Sequence, residues 1–441
     1  MALSRFFGRG RDAAPTPPPE PEAEEAEPVE DDAHDPDAEP EAATDRNWRH
    51  RAEAVLPTGA STGSKRAEAL YGYAVDDLPT HFFSARGAIV TDVTGVQYLD
   101  CTMALGAVAL GYGEPKVTHA VIDAVTQGNV SALSSWREVE LAERMCAIIP
   151  CAERALILKT GAEATAAAVR LARAYTSRDH VIACGYFGWH DWSNVALGVP
   201  ASVSANVTRV LFDDIPALEA AVTAAGSTLA AIVLEPVIEK EPSIEWLTRA
   251  RALCDASGAA LIFDEVKTGF RVAPGGYQEV CGVTPDLASF GKAMANGFPV
   301  AAVVGKQAIM EAARRTWISS TLASESSALA AALAVLDWHD EADICATLAE
   351  TGREMRAAVD RAIVASGIDG VTTRGVDTMW LLDFVEPSVE RKFIAASMRG
   401  GVLFKKGAYN YAAVAHDEAA IQDIESTASA ALVAIREGDD A

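Results

Sequence analysis

Ala260-Leu-Ile-Phe-Asp264-Glu265-Val-Lys-Thr-Gly269-Phe-Arg271 is the stretch on which the fold turns. Four apolar residues run straight into two carboxylates and then a glycine, the pattern of a buried strand whose end opens onto a loop. Outward from it, short apolar runs alternate with helical periodicity. Strands are expected at 155–158, 181–184, 207–211, 231–234 and 260–263, and helices at 162–176, 216–224 and 246–256. This alternation implies an α/β protein with a mainly parallel sheet flanked by helices. Upstream, residues 88–93 and 97–100 around Thr94-Gly95 predict a hairpin, and helical spacing fits 115–127 and 137–149. Ala-rich helices at 326–338 and 345–365 precede a smaller α+β region that ends near Ile435. The expected division is a tail over 1–46, the first part of a small domain over 47–104, a large domain over 105–330 and the rest of the small domain over 331–441.

Charge narrows the function classes. The net charge is −25, from 37 basic and 62 acidic residues, and a chain so acidic repels phosphate backbones, so no nucleic-acid partner is expected. Thirteen of the acidic residues lie between 20 and 45, among Pro and Ala, with too little apolar surface to offset the entropy of ordering. That stretch is expected to be disordered. The seven cysteines include no CxxC pair and are odd in number, which suits a reducing cytoplasm rather than a disulfide framework. No apolar run reaches the length of a membrane span. No metal site is expected.

Four segments carry candidate chemistry. Lys159-Thr-Gly161-Ala162-Glu163 stands between a strand and a helix, where Thr160 and Glu163 form a capping box and the amides of Gly161 and Ala162 can hold a phosphate. Gly185-Tyr186-Phe187-Gly188 follows a strand directly; either ring taken singly reads as a core aromatic, while the flanking glycines suggest instead a flat ligand lying against the chain. Asp264 at a strand end suits one task in particular: an adjacent negative charge keeps a ring nitrogen protonated. Ser289-Phe-Gly291-Lys292-Ala-Met-Ala sets a lysine in a small, apolar surrounding, where desolvation lowers its pKa and frees its amine to attack a carbonyl. Lys159, Lys240 and Lys267 have more polar neighbours and serve better as charges. A phosphate cradle, an aromatic platform, a strand-end carboxylate and a lysine 28 residues beyond it together supply what pyridoxal 5'-phosphate requires of a protein.

With these residues in view, the sequence resembles the class III aminotransferases from about Leu56 to Ile435. The block 261–271 together with Thr284-Pro-Asp-Leu-Ala-Ser-Phe-Gly-Lys292 carries the likeness. The resemblance implies a pyridoxal-phosphate fold-type I architecture, with the small domain drawn from both chain ends, and a homodimer with active sites at the subunit interface. It implies that Asp264 pairs with the pyridine nitrogen, Lys292 forms the internal aldimine and Tyr186 stacks on the ring. Gly161 and Ala162 would bind the phosphate, with Thr321 reaching the phosphate of the neighbouring subunit. Glu235, in Leu234-Glu-Pro-Val237, matches a carboxylate on the substrate side. Within the class the likeness is to the glutamate-1-semialdehyde aminomutase group. Lys65 falls where those enzymes bind a carboxylate with an arginine, and a slip of one residue brings Arg66 there instead. The expected activity is transfer of an amino group from an amino-acid donor to an aldehyde or ketone. An aminomutase or racemase is the first alternative, and a non-catalytic scaffold of the same fold the second.

Overall fold

The computed structural model describes residues 45–73 and 77–438. Its centre is a seven-stranded sheet: β1 (Arg154–Leu158), β2 (His180–Cys184), β3 (Val207–Arg209), β4 (Leu229–Leu234), β5 (Ala260–Asp264), β6 (Leu287–Phe290) and β7 (Ala301–Gly305). The spatial order is β1-β7-β6-β5-β4-β2-β3. Only β7 runs against its neighbours, pairing antiparallel with both β1 and β6, so six of the seven strands point the same way.

Both faces of this sheet are covered, and that explains the unbroken apolar strands. All six residues of β4 and all five of β5 are buried. One face, with Val181, Ala183, Val233, Ile262 and Val303, packs against α1 (Gly161–Thr176). The alternate residues Ile182, Ile232, Leu234, Phe263 and Val304 enter the larger core on the other side. The alanines of α1 let it lie close to the sheet, and seven of its residues are buried. Its start is fixed by the expected capping box, with Glu163 N donating to Thr160 Oγ1 at 3.2 Å and Thr160 N to Glu163 Oε2 at 2.9 Å.

The two ends of the chain meet in a second sheet. Phe82–Arg86, Ile89–Asp92 and Gln97–Asp100 form an antiparallel meander, and Val402–Leu403 joins it in parallel through Val402 opposite Leu99. A third sheet holds Val371–Val376, Met379–Phe384 and Asn410–Tyr411. The helices at Ile344–Ser366, Pro387–Arg399 and Glu418–Glu437 pack with these strands.

The expected tail lies outside the described residues, save its last two. There the boundary needs correction, because a helix already begins at Asp45. Asp45 is buried and accepts hydrogen bonds from the amides of Thr80 and His81, both at 2.9 Å, so residues 45 and 46 belong to the folded part. Among the described residues no helix is long and apolar enough to cross a membrane.

Candidate active site

The candidate residues converge because they follow the carboxyl ends of parallel strands, where open α/β sheets place their ligands. Gly161 comes three residues after β1, Tyr186 two after β2, Glu235 one after β4 and Lys292 two after β6, while Asp264 ends β5. Register holds them level: Asp264 lies opposite Ser289, Phe263 opposite Ala288, and Cys184 opposite Leu234.

Asp264 is 5% exposed. Its Oδ1 accepts from Val266 N at 3.0 Å and its Oδ2 from Thr165 Oγ1 at 2.9 Å. No salt bridge joins it to a cation among the described residues. Burial, and then the charge of Glu235, push its carboxyl well above the usual range. A cation facing it would reverse that shift.

Lys292 is half-buried by accessible surface, yet protein closes around it densely. Its backbone sits at φ 45°, a left-handed conformation that a side chain disfavours and that persists here because the flanking segments fix it. Asn296 is one such clamp: its Oδ1 accepts from Ala109 N and Leu110 N at 3.0 and 2.9 Å. Among the described residues no hydrogen bond or ion pair engages Lys292 Nζ. Burial first, then the nearby Lys267 charge, hold its pKa below the usual lysine value, against the opposing pull of Asp264 and Glu235. Its amine is therefore more readily neutral than a surface lysine's.

The other lysines are spent as charges. Lys267 Nζ lies 2.9 Å from Glu235 Oε1 and 4.5 Å from the Tyr409 ring centroid. Burial opposes its charge, but Glu235 and then Tyr409 outweigh burial and hold the ammonium above the lysine range. Lys159 pairs with Glu325 at 2.7 Å and Lys240 with Asp213 at 3.5 Å.

Glu235 also organises the aromatic segment. Its Oε2 accepts from Tyr186 N at 2.8 Å, and a Cβ at Gly185 would come within 2.7 Å of its Cγ. Tyr186 is 72% exposed, whereas Phe187 is buried against Trp192. The core reading therefore fits Phe187 and not Tyr186. Gly188, at φ 84°, passes so close to Ala162 that an added Cβ would lie 2.4 Å from that alanine's own. The amides of Gly161 and Ala162 have no acceptor within the helix and stand open for an anion.

Two expected residues stay outside this cluster. Thr321 is exposed in a turn before the helix Ser326–Glu341. Lys65 is exposed and, with Arg66, lines a cavity of about 770 Å³ against the small sheet, whose walls include neither Lys292 nor Asp264. Sequence reading missed Thr165, Ser289, the pairing of Lys267 and the fully buried Arg271, whose guanidinium donates to Gly106 O at 2.7 Å and Ala412 O at 3.1 Å. For Thr165 a signal existed, since it follows Gly161 by four residues and so shares its helix face.

The site fits pyridoxal phosphate on the chain's own evidence. Among the described residues no cation pairs with the buried carboxylate and no partner engages the desolvated amine, and Gly161 passes so close to Val266 that an added Cβ would lie 2.8 Å from it. A seven-stranded sheet of this order with such a site defines a fold-type I pyridoxal-phosphate enzyme. Within that class the chain belongs to the class-III aminotransferases, whose family model matches residues 71–415. It is 33% identical over 326 residues to a 3-aminobutyryl-CoA aminotransferase of Cloacimonas acidaminovorans, covering 72% of this chain and 78% of that protein. It is 36% identical over 280 residues to a glutamate-1-semialdehyde 2,1-aminomutase of Methanothermobacter thermautotrophicus, covering 59% and 64%. Among solved structures, the FumI protein of Sphingopyxis sp. MTA144, in its pyridoxal-phosphate internal aldimine form, superposes with a TM-score of 0.85 at 27% identity, over 89% of this chain and 96% of that one. The chain is thus a pyridoxal-phosphate-dependent transaminase acting on a small-molecule amino donor and acceptor.

Proposed function

We propose that Lys292 and Asp264 carry the reaction, moving an amino group from an amino-acid donor to an aldehyde or ketone. The observation that supports this most is the meeting, at the end of β5 and just past the end of β6, of a desolvated lysine and a buried carboxylate that have no ionic partner among the described residues. Bound pyridoxal phosphate supplies an electrophilic carbonyl and a ring that takes up electrons from the substrate's α-carbon. Asp264 holds positive charge at the ring nitrogen. Lys292 Nζ would hold the cofactor's carbonyl and would carry a proton between neighbouring substrate atoms. The Gly161 and Ala162 amides would hold the phosphate, and Tyr186 would lie against the ring. Glu235, fixed by Lys267, bounds the substrate side, and Lys65, or Arg66 beside it, meets a carboxylate.

The reading includes a homodimer in the cytoplasm. The exposed apolar side chains Leu133, Trp136, Trp317 and Leu322 suit burial against a second copy, and the seven free thiols suit a reducing compartment. Thr321, exposed in this chain, would reach the partner's phosphate. Its replacement by valine is then expected to weaken cofactor affinity roughly tenfold or more without altering the melting midpoint, since a hydrogen bond to a charged group contributes about 1.5–3 kcal/mol. Equilibrium titration of the apoenzyme with cofactor checks this, and unchanged affinity removes Thr321 from the site.

Lys267 carries a second expectation. Replacing it with methionine removes a positive neighbour of Lys292 and leaves Glu235 unpaired, and both changes raise the Lys292 pKa. The pH profile of cofactor attachment to the apoenzyme should move to higher pH, so attachment at neutral pH slows. A profile that stays in place would mean that Lys267 does not act on Lys292.

The reaction itself is tested by product analysis. With an amino donor and no acceptor, a transaminase yields about one keto acid per active site and stops. Continued rearrangement of glutamate 1-semialdehyde alone would instead make the enzyme an aminomutase.

A further inference from the structure

Behind Asp264 lie two hydroxyls that the proposed roles leave unused. Thr165, on α1, and Ser289, on β6, are both completely buried. Thr165 Oγ1 stands 2.9 Å from Asp264 Oδ2, 2.9 Å from Ser289 Oγ and 3.0 Å from Gly161 O. A threonine hydroxyl in a helix commonly bonds the carbonyl four residues back, and Gly161 O offers that bond. It has one proton, however, and the carboxylate is the stronger acceptor. Ser289 Oγ has a single hydrogen-bond partner among the described residues, Thr165, and either hydroxyl of the pair can donate to the other.

We propose that Ser289 and Thr165 form a two-hydroxyl relay that positions Asp264, with Ser289 Oγ donating to Thr165 Oγ1 and Thr165 Oγ1 donating to Asp264 Oδ2. Both are positioning residues: they act on the cofactor only through the carboxylate. Asp264 needs them because its surroundings otherwise oppose its charge. Glu235, at the end of β4, repels it; Lys292, after β6, attracts it; the sheet and α1 exclude water. Its remaining donor is the Val266 amide. A hydrogen bond that favours the ionised form keeps the carboxylate charged in that setting, and its direction fixes which lone pairs face outward.

This inference rests on Asp264 facing the ring nitrogen, so its test includes Asp264→Asn. The readout is the pH midpoint of the bound cofactor's visible absorbance in the purified holoenzyme, measured alongside kcat and KM. Thr165→Val is expected to move the midpoint in the same direction as Asp264→Asn, by a smaller amount, and to lower kcat roughly tenfold with less change in KM. Thr165→Ser, which restores the hydroxyl, should return both most of the way. Ser289→Ala should move the midpoint the same way by less than Thr165→Val, and it decides the matter if the valine variant does not fold. Midpoints of Thr165→Val or Ser289→Ala that coincide with wild type while Asp264→Asn shifts would overturn the relay and leave the role of Asp264 standing. A midpoint that Asp264→Asn itself does not move would overturn both.

Discussion

Replacing Lys292 with alanine is expected to abolish turnover while leaving the fold intact. The side chain provides both the amine that holds the cofactor's carbonyl and the base that moves the substrate's proton. Loss of a positioned proton carrier alone lowers rate by on the order of 10²–10⁴, and loss of the covalent link adds to it. Stability should change little, because Lys292 donates no hydrogen bond among the described residues and the attraction of Asp264 and Glu235 for its charge is outweighed by burial and Lys267. A melting curve at or above that of wild type, with no measurable conversion of donor, is the expected pair of results. Residual turnover within tenfold of wild type would move the catalytic amine elsewhere.

The second large effect belongs to Asp264→Asn. The amide keeps the shape, its Oδ1 can still accept from the Val266 amide and its Nδ2 can donate to Thr165 Oγ1, but it carries no charge for the ring nitrogen. Removing a preorganised electrostatic partner of this kind costs on the order of 10²–10³ in kcat. The fold should tolerate the change, since it also removes repulsion between Asp264 and Glu235 and the cost of keeping a charge buried. Steady-state kinetics and thermal unfolding separate the possibilities. A lower melting midpoint with kcat preserved would make Asp264 a structural residue.

Much of this site was legible in the sequence because its parts follow strands that announce themselves. β4 is apolar throughout and is followed at once by Glu235, and β5 is apolar up to the Asp264 that ends it. Thr160 and Glu163 mark the start of α1 by their spacing alone. Short strands were harder. β6 and β7 have four and five residues, apolar on both faces, and such runs carry no period from which to read them. Phe82–Arg86 was missed for the opposite reason, since four of its five side chains are exposed. Backbone strain left no trace at all. Met103, Ala104 and Leu105 take φ of 43°, 51° and 59°, a left-handed turn that disfavours each residue by roughly 1–2 kcal/mol. What holds it comes from both near and far: Asp100 accepts from the amides of Thr102 and Met103, and Arg271 binds Gly106 O. The relay behind Asp264 was hidden likewise, because Thr165 and Ser289 are 124 residues apart and meet only once α1 lies on the sheet.

The most direct measurement is borohydride reduction of the purified holoenzyme, followed by peptide mapping of the modified residue. Reduction turns an imine between lysine and cofactor into a stable secondary amine and bleaches the yellow colour. The phosphopyridoxyl group should be found on Lys292 alone. Lys159, Lys240 and Lys267 should be unmodified, each being paired with a carboxylate within 3.5 Å. A group on any of these, or on no lysine, would contradict the assignment of Lys292 and the catalytic account built on it.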